Sequence, residues 1–221
     1  MIVYLHGFAS SPKSTKAQYF ADRLVGHGVA VVTPDFNEPD FRTLTMTRML
    51  DQLSAAIDRL RDNDDRRSGE SVPATLFGSS LGGTLAILAA ARLGPKVERL
   101  VLMAPAVMFA KPGHHLLPPE RIAEWRRCGA LPFFHYAFNE ERLLDFAFYE
   151  DTLRYDAFDA AFTQPTLIFQ GLHDRSVDPR TVEAFARTRP NVTLSLLEDD
   201  HQLTASLPRM WVDVEAFLGL S

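Results

Sequence analysis

Val72-Pro73-Ala74-Thr75-Leu76-Phe77 leads straight into Gly78-Ser79-Ser80-Leu81-Gly82, and residues 81–93 then carry a helical, apolar pattern. That order gives a common Gly-x-Ser-x-Gly pentapeptide a chemical meaning. A serine hydroxyl is a poor nucleophile until a base takes its proton, so it must stand exposed at a sharp strand-to-helix turn, within reach of an imidazole and of oxyanion donors. Gly78 and Gly82 carry no side chains to collide where strand and helix nearly touch, and Ser80 between them can be held in strained backbone geometry costing about 1–3 kcal/mol. The alternative is an ordinary glycine-rich turn.

Outward from this turn, strands and helices alternate. Residues 2–5 form a short continuous apolar run ending in His6-Gly7, the pattern of a strand buried on both faces of a parallel sheet. In 14–26, Ala17, Phe20, Ala21, Leu24 and Val25 make one stripe of an amphipathic helix, stopped by Gly26 and Gly28. A second strand is expected over 29–33, closed by Pro34, and a helix over 46–60, followed by a charged, solvated connection at 62–69. Strands at 72–77, 97–103, 166–170 and 192–197 and helices at 81–93, about 179–188 and 205–218 complete the series. This predicts an α/β fold: a mainly parallel, six-stranded, doubly wound sheet with right-handed crossovers.

At 221 residues with 46% hydrophobic content, the chain is expected to form one domain over 1–221 with ample core. A net charge of −5 and basic runs no longer than Arg66-Arg67 or Arg126-Arg127 argue against a nucleic-acid partner. A lone Cys128 excludes an internal disulfide framework and fits a reducing compartment. With no stretch resembling a signal peptide or a membrane span, a soluble cytoplasmic protein is expected.

Residues 106–161 break the alternation. They hold 11 of the chain's 23 aromatic residues, among them Phe109, Trp125, Phe133, Phe146, Phe148 and Tyr149. The segment, with Lys111-Pro112-Gly113 near its start and Leu117-Pro118-Pro119 beyond, is expected to be a small inserted helical cap whose apolar underside covers the C-terminal edge of the sheet. The other reading is a cap packed only on itself.

In an open parallel sheet the site lies beyond the carboxyl ends of the strands, so partners for Ser80 are sought just after later strands. Asp174 follows the strand at 166–170 and His201 the strand at 192–197, in the chain order Ser, Asp, His. His201 would act as general base, and Asp174 would fix its tautomer and stabilise its charged form. Of the other histidines, His6 ends the first strand and is expected to hydrogen-bond within its loop; His27 lies at a helix exit, His114, His115 and His135 in the insert, and His173 before the acid. Asp178 is an alternative acid, or a helix cap before Pro179; Asp199 and Asp200 are expected to shape the loop beside His201. The oxyanion donors would be the backbone N–H groups of Leu81, at a helix start, and Phe8, after Gly7. No metal or cofactor is called for.

Tyr4-Leu5-His6-Gly7-Phe8-Ala9-Ser10-Ser11-Pro12-Lys13-Ser14, Gly78-Ser79-Ser80-Leu81-Gly82-Gly83, Gly171-Leu172-His173-Asp174 and His201 together resemble the α/β-hydrolase superfamily, and the first two stretches resemble the small bacterial YqiA-like esterases. The resemblance implies a cofactor-independent serine hydrolase of carboxylic esters or thioesters with Ser80, Asp174 and His201 as its triad. Against that pattern, the superfamily's first two antiparallel strands are expected to be absent, and the aromatic insert is larger than in the compact subfamily.

Three functions stay open on the residues. The first is a carboxylesterase or thioesterase working through an acyl-serine on a small acyl or aryl substrate. The second is a peptidase or amidase of the same fold, with Glu120, Glu124, Glu140 or Glu141 receiving an amine terminus. The third is a non-catalytic protein holding a small apolar ligand. Ser80 at the turn argues against epoxide hydrolases and haloalkane dehalogenases, which place a carboxylate there. A monomer and a homodimer both fit.

Overall fold

The strands, in chain order, are β1 (Ile2–Leu5), β2 (Val31–Val32), β3 (Ala74–Ser79), β4 (Val97–Met103), β5 (Ala130–His135), β6 (Glu140–Asp145), β7 (Thr166–Gly171) and β8 (Val192–Leu197). Six of them form one sheet in the order β2-β1-β3-β4-β7-β8, and every adjacent pair is parallel. The computed structural model describes residues 1–68, 71–109, 111 and 117–220; Pro112, Gly113, His114 and His115 lie outside the described residues.

Parallel strands buried on both faces send alternate side chains to opposite layers. In β1, Val3 and Leu5 enter one apolar core while Ile2 and Tyr4 enter the other. Helices α1 (Thr15–Gly26) and α7 (Leu207–Leu218) close the second core with Phe20, Leu24, Met210 and Trp211. Helices α2 (Met46–Ser68), α3 (Leu81–Leu93) and α6 (Pro179–Arg187) close the first. Each residue of α3 from Leu81 to Ala90 is buried, as its all-round apolar sequence demands.

Several boundaries depart from expectation. Helix α2 continues through the charged run to Ser68, because no breaker stands before Gly69 and a charged segment can be solvated without ceasing to be helical. β3 starts at Ala74, after Pro73, which has no N–H to give a ladder, and runs on to Ser79. β2 is reduced to Val31–Val32 at the edge of the sheet.

The insert is not wholly helical. Helix α4 (Pro119–Cys128) is followed by the antiparallel hairpin β5–β6 and then by the short helix α5 (Ala147–Thr152). Its period-two signal is present in the sequence: Leu131 and His135 are buried while Pro132 and Phe134 are exposed, an alternation hidden beneath the bulk aromatic count. Nor is the insert packed only on itself. Trp125, Leu131, Leu144, Phe146 and Phe148 share one core with β1, α2 and α3. Polar anchors join it to the sheet layer: Tyr136 N–H donates to Ala9 O at 2.9 Å, and Thr47 N–H and Oγ1 donate to the Asp151 carboxylate, each at 2.7 Å. Thr47 sits in the first turn of α2, so Asp151 caps an orphan N–H from outside that helix.

Candidate active site

Ser80 sits between the end of β3 and the start of α3 with φ 53° and ψ −115°, a region that a non-glycine residue occupies only under strain. The turn is held from several sides. Ser80 N–H donates to Met103 O at 2.9 Å, and Ser80 O accepts from the N–H groups of Gly83, Thr84 and Ala106. A Cβ at Gly78 would lie 2.5 Å from Gly82 O, and one at Gly82 only 2.1 Å from Leu5 O, so both glycines are demanded by close backbone approach. The second approach seats the start of α3 on the end of β1, beside the loop that follows it.

His201, beyond β8, brings Nε2 to 3.2 Å from Ser80 Oγ and Nδ1 to 2.8 Å from Asp174 Oδ2. An ionised carboxylate accepts only, so Nδ1 carries the proton and Nε2 presents its lone pair to the serine hydroxyl. The Asp174 side chain is fully buried, and its other oxygen accepts from the N–H groups of Ser176 and Val177, each at 2.8 Å. Burial alone would raise this carboxyl; the hydrogen bonds from His201, Val177 N–H and Gln170, with the attraction of His201, outweigh it and hold the group below its ordinary range. Asp178 instead caps α6, accepting from Arg180 N–H at 3.0 Å. Asp199 and Asp200 accept from backbone N–H groups of their own loop, including those of Ser206 and Gln202.

The N–H groups of Phe8 and Leu81 donate to no acceptor among the described residues. Gly7 brings the first of them close, since a Cβ there would lie 3.5 Å from Ser80 Cβ. His6 is buried and structural: Phe36 N–H donates to its Nε2 at 3.1 Å, which leaves Nδ1–H to donate to Gly7 O at 2.9 Å. His27 pairs with Glu215 and His173 with Glu198. Buried His135 donates from Nε2 to Asn37 Oδ1 at 2.9 Å, while Asn37 Nδ2 donates to Ser10 O at 2.8 Å, tying the cap to the loop that carries Phe8.

Above this loop the Phe8 ring lies 5.6 Å from both Phe133 and Phe148. Phe148 in turn lines a narrow apolar slot with Phe109, Ile122, Trp125, Tyr149 and Thr152. Phe109 is one turn beyond Ala106, whose N–H is bonded to Ser80 O. Of the glutamates considered for an amine terminus, Glu120, Glu140 and Glu141 are exposed and Glu124 is half-buried, and Glu124 and Glu140 are paired with Arg121 and Arg142. No group of three His, Cys, Asp or Glu side chains suited to a metal occurs among the described residues.

Two side chains around this centre escaped the sequence reading. Lys16, in the first turn of α1, is buried and donates from Nζ to His201 O at 3.3 Å. Burial lowers its pKa to about 8 against the opposing attraction of Asp174, Asp200 and Asp199. Gln170 ends the apolar run of β7 and donates to Asp174 Oδ2 at 3.0 Å. Its one available signal was an amide closing a strand otherwise filled by Leu167, Ile168 and Phe169.

Among curated protein sequences none matches this chain. In solved structures, Est1E from Butyrivibrio proteoclasticus, with ferulic acid bound, superposes with a TM-score of 0.82 at 22% identity, over 98% of this chain and 87% of that one. A putative hydrolase from Agrobacterium vitis S4 gives a TM-score of 0.81 at 25% identity, over 97% and 86% of the two chains. A monoacylglycerol lipase from Paleococcus ferrophilus gives 0.75 at 18%, over 100% and 94%. The sheet order, the turn at Ser80 and these superpositions make the fold that of the α/β-hydrolases. The family model described as "Uncharacterised protein family (UPF0227)" matches residues 1–218, and the chain belongs to that family.

Proposed function

We propose that the protein is a serine hydrolase that cleaves carboxylic esters or thioesters through an acyl-serine intermediate. The observation that carries the reading is the relay from Asp174 through His201 to Ser80 at 2.8 and 3.2 Å, with a lone pair facing the hydroxyl. Ser80 Oγ attacks the carbonyl carbon as its proton passes to His201 Nε2; the tetrahedral oxyanion is received by the Phe8 and Leu81 N–H groups. His201 then protonates the leaving alcohol or thiol as the bond to it breaks. Water attacks the acyl-serine with His201 again as base, releasing the acid and restoring the Ser80 hydroxyl. Each oxyanion donor in such a site supports a rate factor of about 10²–10³.

The apolar slot beside Phe8 supports an acyl or aryl group as the part of the substrate that is bound, each buried methylene contributing about 0.8 kcal/mol. Ferulic acid in Est1E and the monoacylglycerol lipase are examples of such chemistry on this fold. An amide-cleaving variant of the reading draws no support from Glu120, Glu140 and Glu141, which face solvent, or from Glu124, which is paired with Arg121.

A fluorophosphonate probe is expected to label Ser80, and Ser80→Ala to abolish labelling and lower p-nitrophenyl ester hydrolysis by about 10⁶ if the triad acts as a unit. Labelling at another residue, or none, would overturn the proposal and favour a ligand-binding role. A panel of ester chain lengths run beside acyl-CoA thioesters then sets the substrate class.

A further inference from the structure

Gln170 has no exposed surface, and its amide nitrogen is directed at three acceptors: Asp174 Oδ2 at 3.0 Å, Gly171 O at 3.1 Å and Val177 O at 3.4 Å. Its amide oxygen has no hydrogen-bond partner among the described residues. Turning the amide over would set that oxygen against three acceptors, so the orientation follows from chemistry alone. A buried unpaired carbonyl is unfavourable, and leucine or valine would fill this strand position without that cost. What the glutamine provides in return is a donor on the same carboxylate oxygen that holds His201.

We propose that Gln170 is a positioning residue for the reaction, clamping Asp174 Oδ2 so that the carboxylate holds the His201 imidazole in line with Ser80. The proposal rests on the triad reading above. Asp174 has four donors among the described residues: the Ser176 and Val177 N–H groups lock Oδ1, while Oδ2 is shared by His201 Nδ1 and Gln170 Nε2. Without Gln170 the outer oxygen is held by the imidazole alone, and the carboxyl can turn about its Cβ–Cγ bond. The same donor draws negative charge away from Oδ2, so removing it strengthens the field that Asp174 exerts on a protonated His201. The remaining charged groups nearby, Lys16 on α1 with Asp199 and Asp200 beyond β8, are untouched by a change at Gln170.

The test uses Gln170→Leu and Gln170→Glu in the full chain, with active sites counted by fluorophosphonate labelling. Gln170→Leu is expected to lower kcat per active site by about 10–100-fold, the range for a hydrogen bond to a charged group, with little change in KM, and to move the acid limb of kcat/KM to higher pH. A glutamic acid at this position is buried beside another carboxyl and is expected to stay protonated at low pH, where its O–H can replace the amide donor. Gln170→Glu should therefore approach wild-type activity at low pH and lose it on a new alkaline limb as that acid ionises.

A purely structural role would lower the number of active sites without moving either limb, and that result would overturn the proposal. So would a Gln170→Leu enzyme within twofold of wild type at every pH. If neither variant folds, the wild-type side-chain amide decides by NMR: Gln170 Nε2 protons that resist exchange and shift as His201 titrates support the clamp, and freely exchanging or unresponsive ones refute it. Failure of the wild type to label at Ser80 would instead remove the triad reading itself, so the two failures are separable.

Discussion

Replacing Gly82 by alanine tests the geometry on which the whole site is built. In most helices this change is favourable by about 0.5–1 kcal/mol, because alanine loses less backbone freedom on folding. Here the new Cβ would stand 2.1 Å from Leu5 O, 2.7 Å from Leu5 C and 2.9 Å from His6 O. All three atoms are backbone, so no side chain can swing aside. Restoring ordinary contact requires the start of α3 to retreat from β1 by about 1 Å. Overpacking of this kind costs about 3 kcal/mol at the upper end of its usual range, leaving a net loss of about 2 kcal/mol after the helix-propensity gain.

With a urea slope of about 2–3 kcal/mol/M, the unfolding midpoint should fall by about 1 M. The retreat also carries Ser80 and Leu81 away from the loop bearing Phe8, and a displacement of about 1 Å in a reacting group costs on the order of 10²-fold in rate. Urea unfolding followed by the fluorescence of Trp125 and Trp211, with ester hydrolysis measured on the same samples, reads both effects. Gly26→Ala is the control: nothing lies within 4 Å of a Cβ at that exposed end of α1, and its midpoint should hold or rise slightly. A Gly82→Ala protein with wild-type midpoint and rate would refute the close approach of α3 to β1, and an equal loss in Gly26→Ala would show that the effect is not specific to the turn.

Lys16 gives a pH prediction. Its folded pKa of about 8 lies below the ordinary 10.5, so below pH 8 the fold carries a charge that burial disfavours, at a cost of about 3 kcal/mol that fades as pH rises from about 8 to 10.5. Wild-type stability relative to Lys16→Met should therefore increase across that window in urea unfolding, and parallel curves for the two proteins would count against it. Asp151→Ala removes the carboxylate that caps α2 from the insert and should cost about 1–2 kcal/mol. Hydrogen exchange should quicken at Thr47 and through Ala147–Thr152; unchanged exchange in both places would refute the anchor.

The sheet was legible because its signals are local. The apolar runs at 2–5, 97–103 and 192–197 became strands with those bounds, and in β1, buried on both faces, every position calls for an apolar residue. Helix α3 was legible for the same reason. The hairpin β5–β6 was missed because its outward positions include Pro132, which breaks a strand pattern, and Phe134, an exposed ring that reads as core when composition alone is weighed. Gln170 and Lys16 were missed because each looks unexceptional in its own segment and acquires meaning only beside Asp174 or the carbonyl of His201.

By itself the sequence determined that Ser80 stands at a strand-to-helix turn and that an aspartate and a histidine follow later strands, because backbone propensity and apolar periodicity are written residue by residue. Which aspartate meets the imidazole was decided in three dimensions. Asp174 and Asp178 lie in one loop, yet only the path of β7 and β8 side by side sets the first 2.8 Å from His201 and leaves the second to cap α6. The packing of the aromatic insert against Phe8 was decided there too, since contacts between segments more than 100 residues apart depend on chain path and not on local preference.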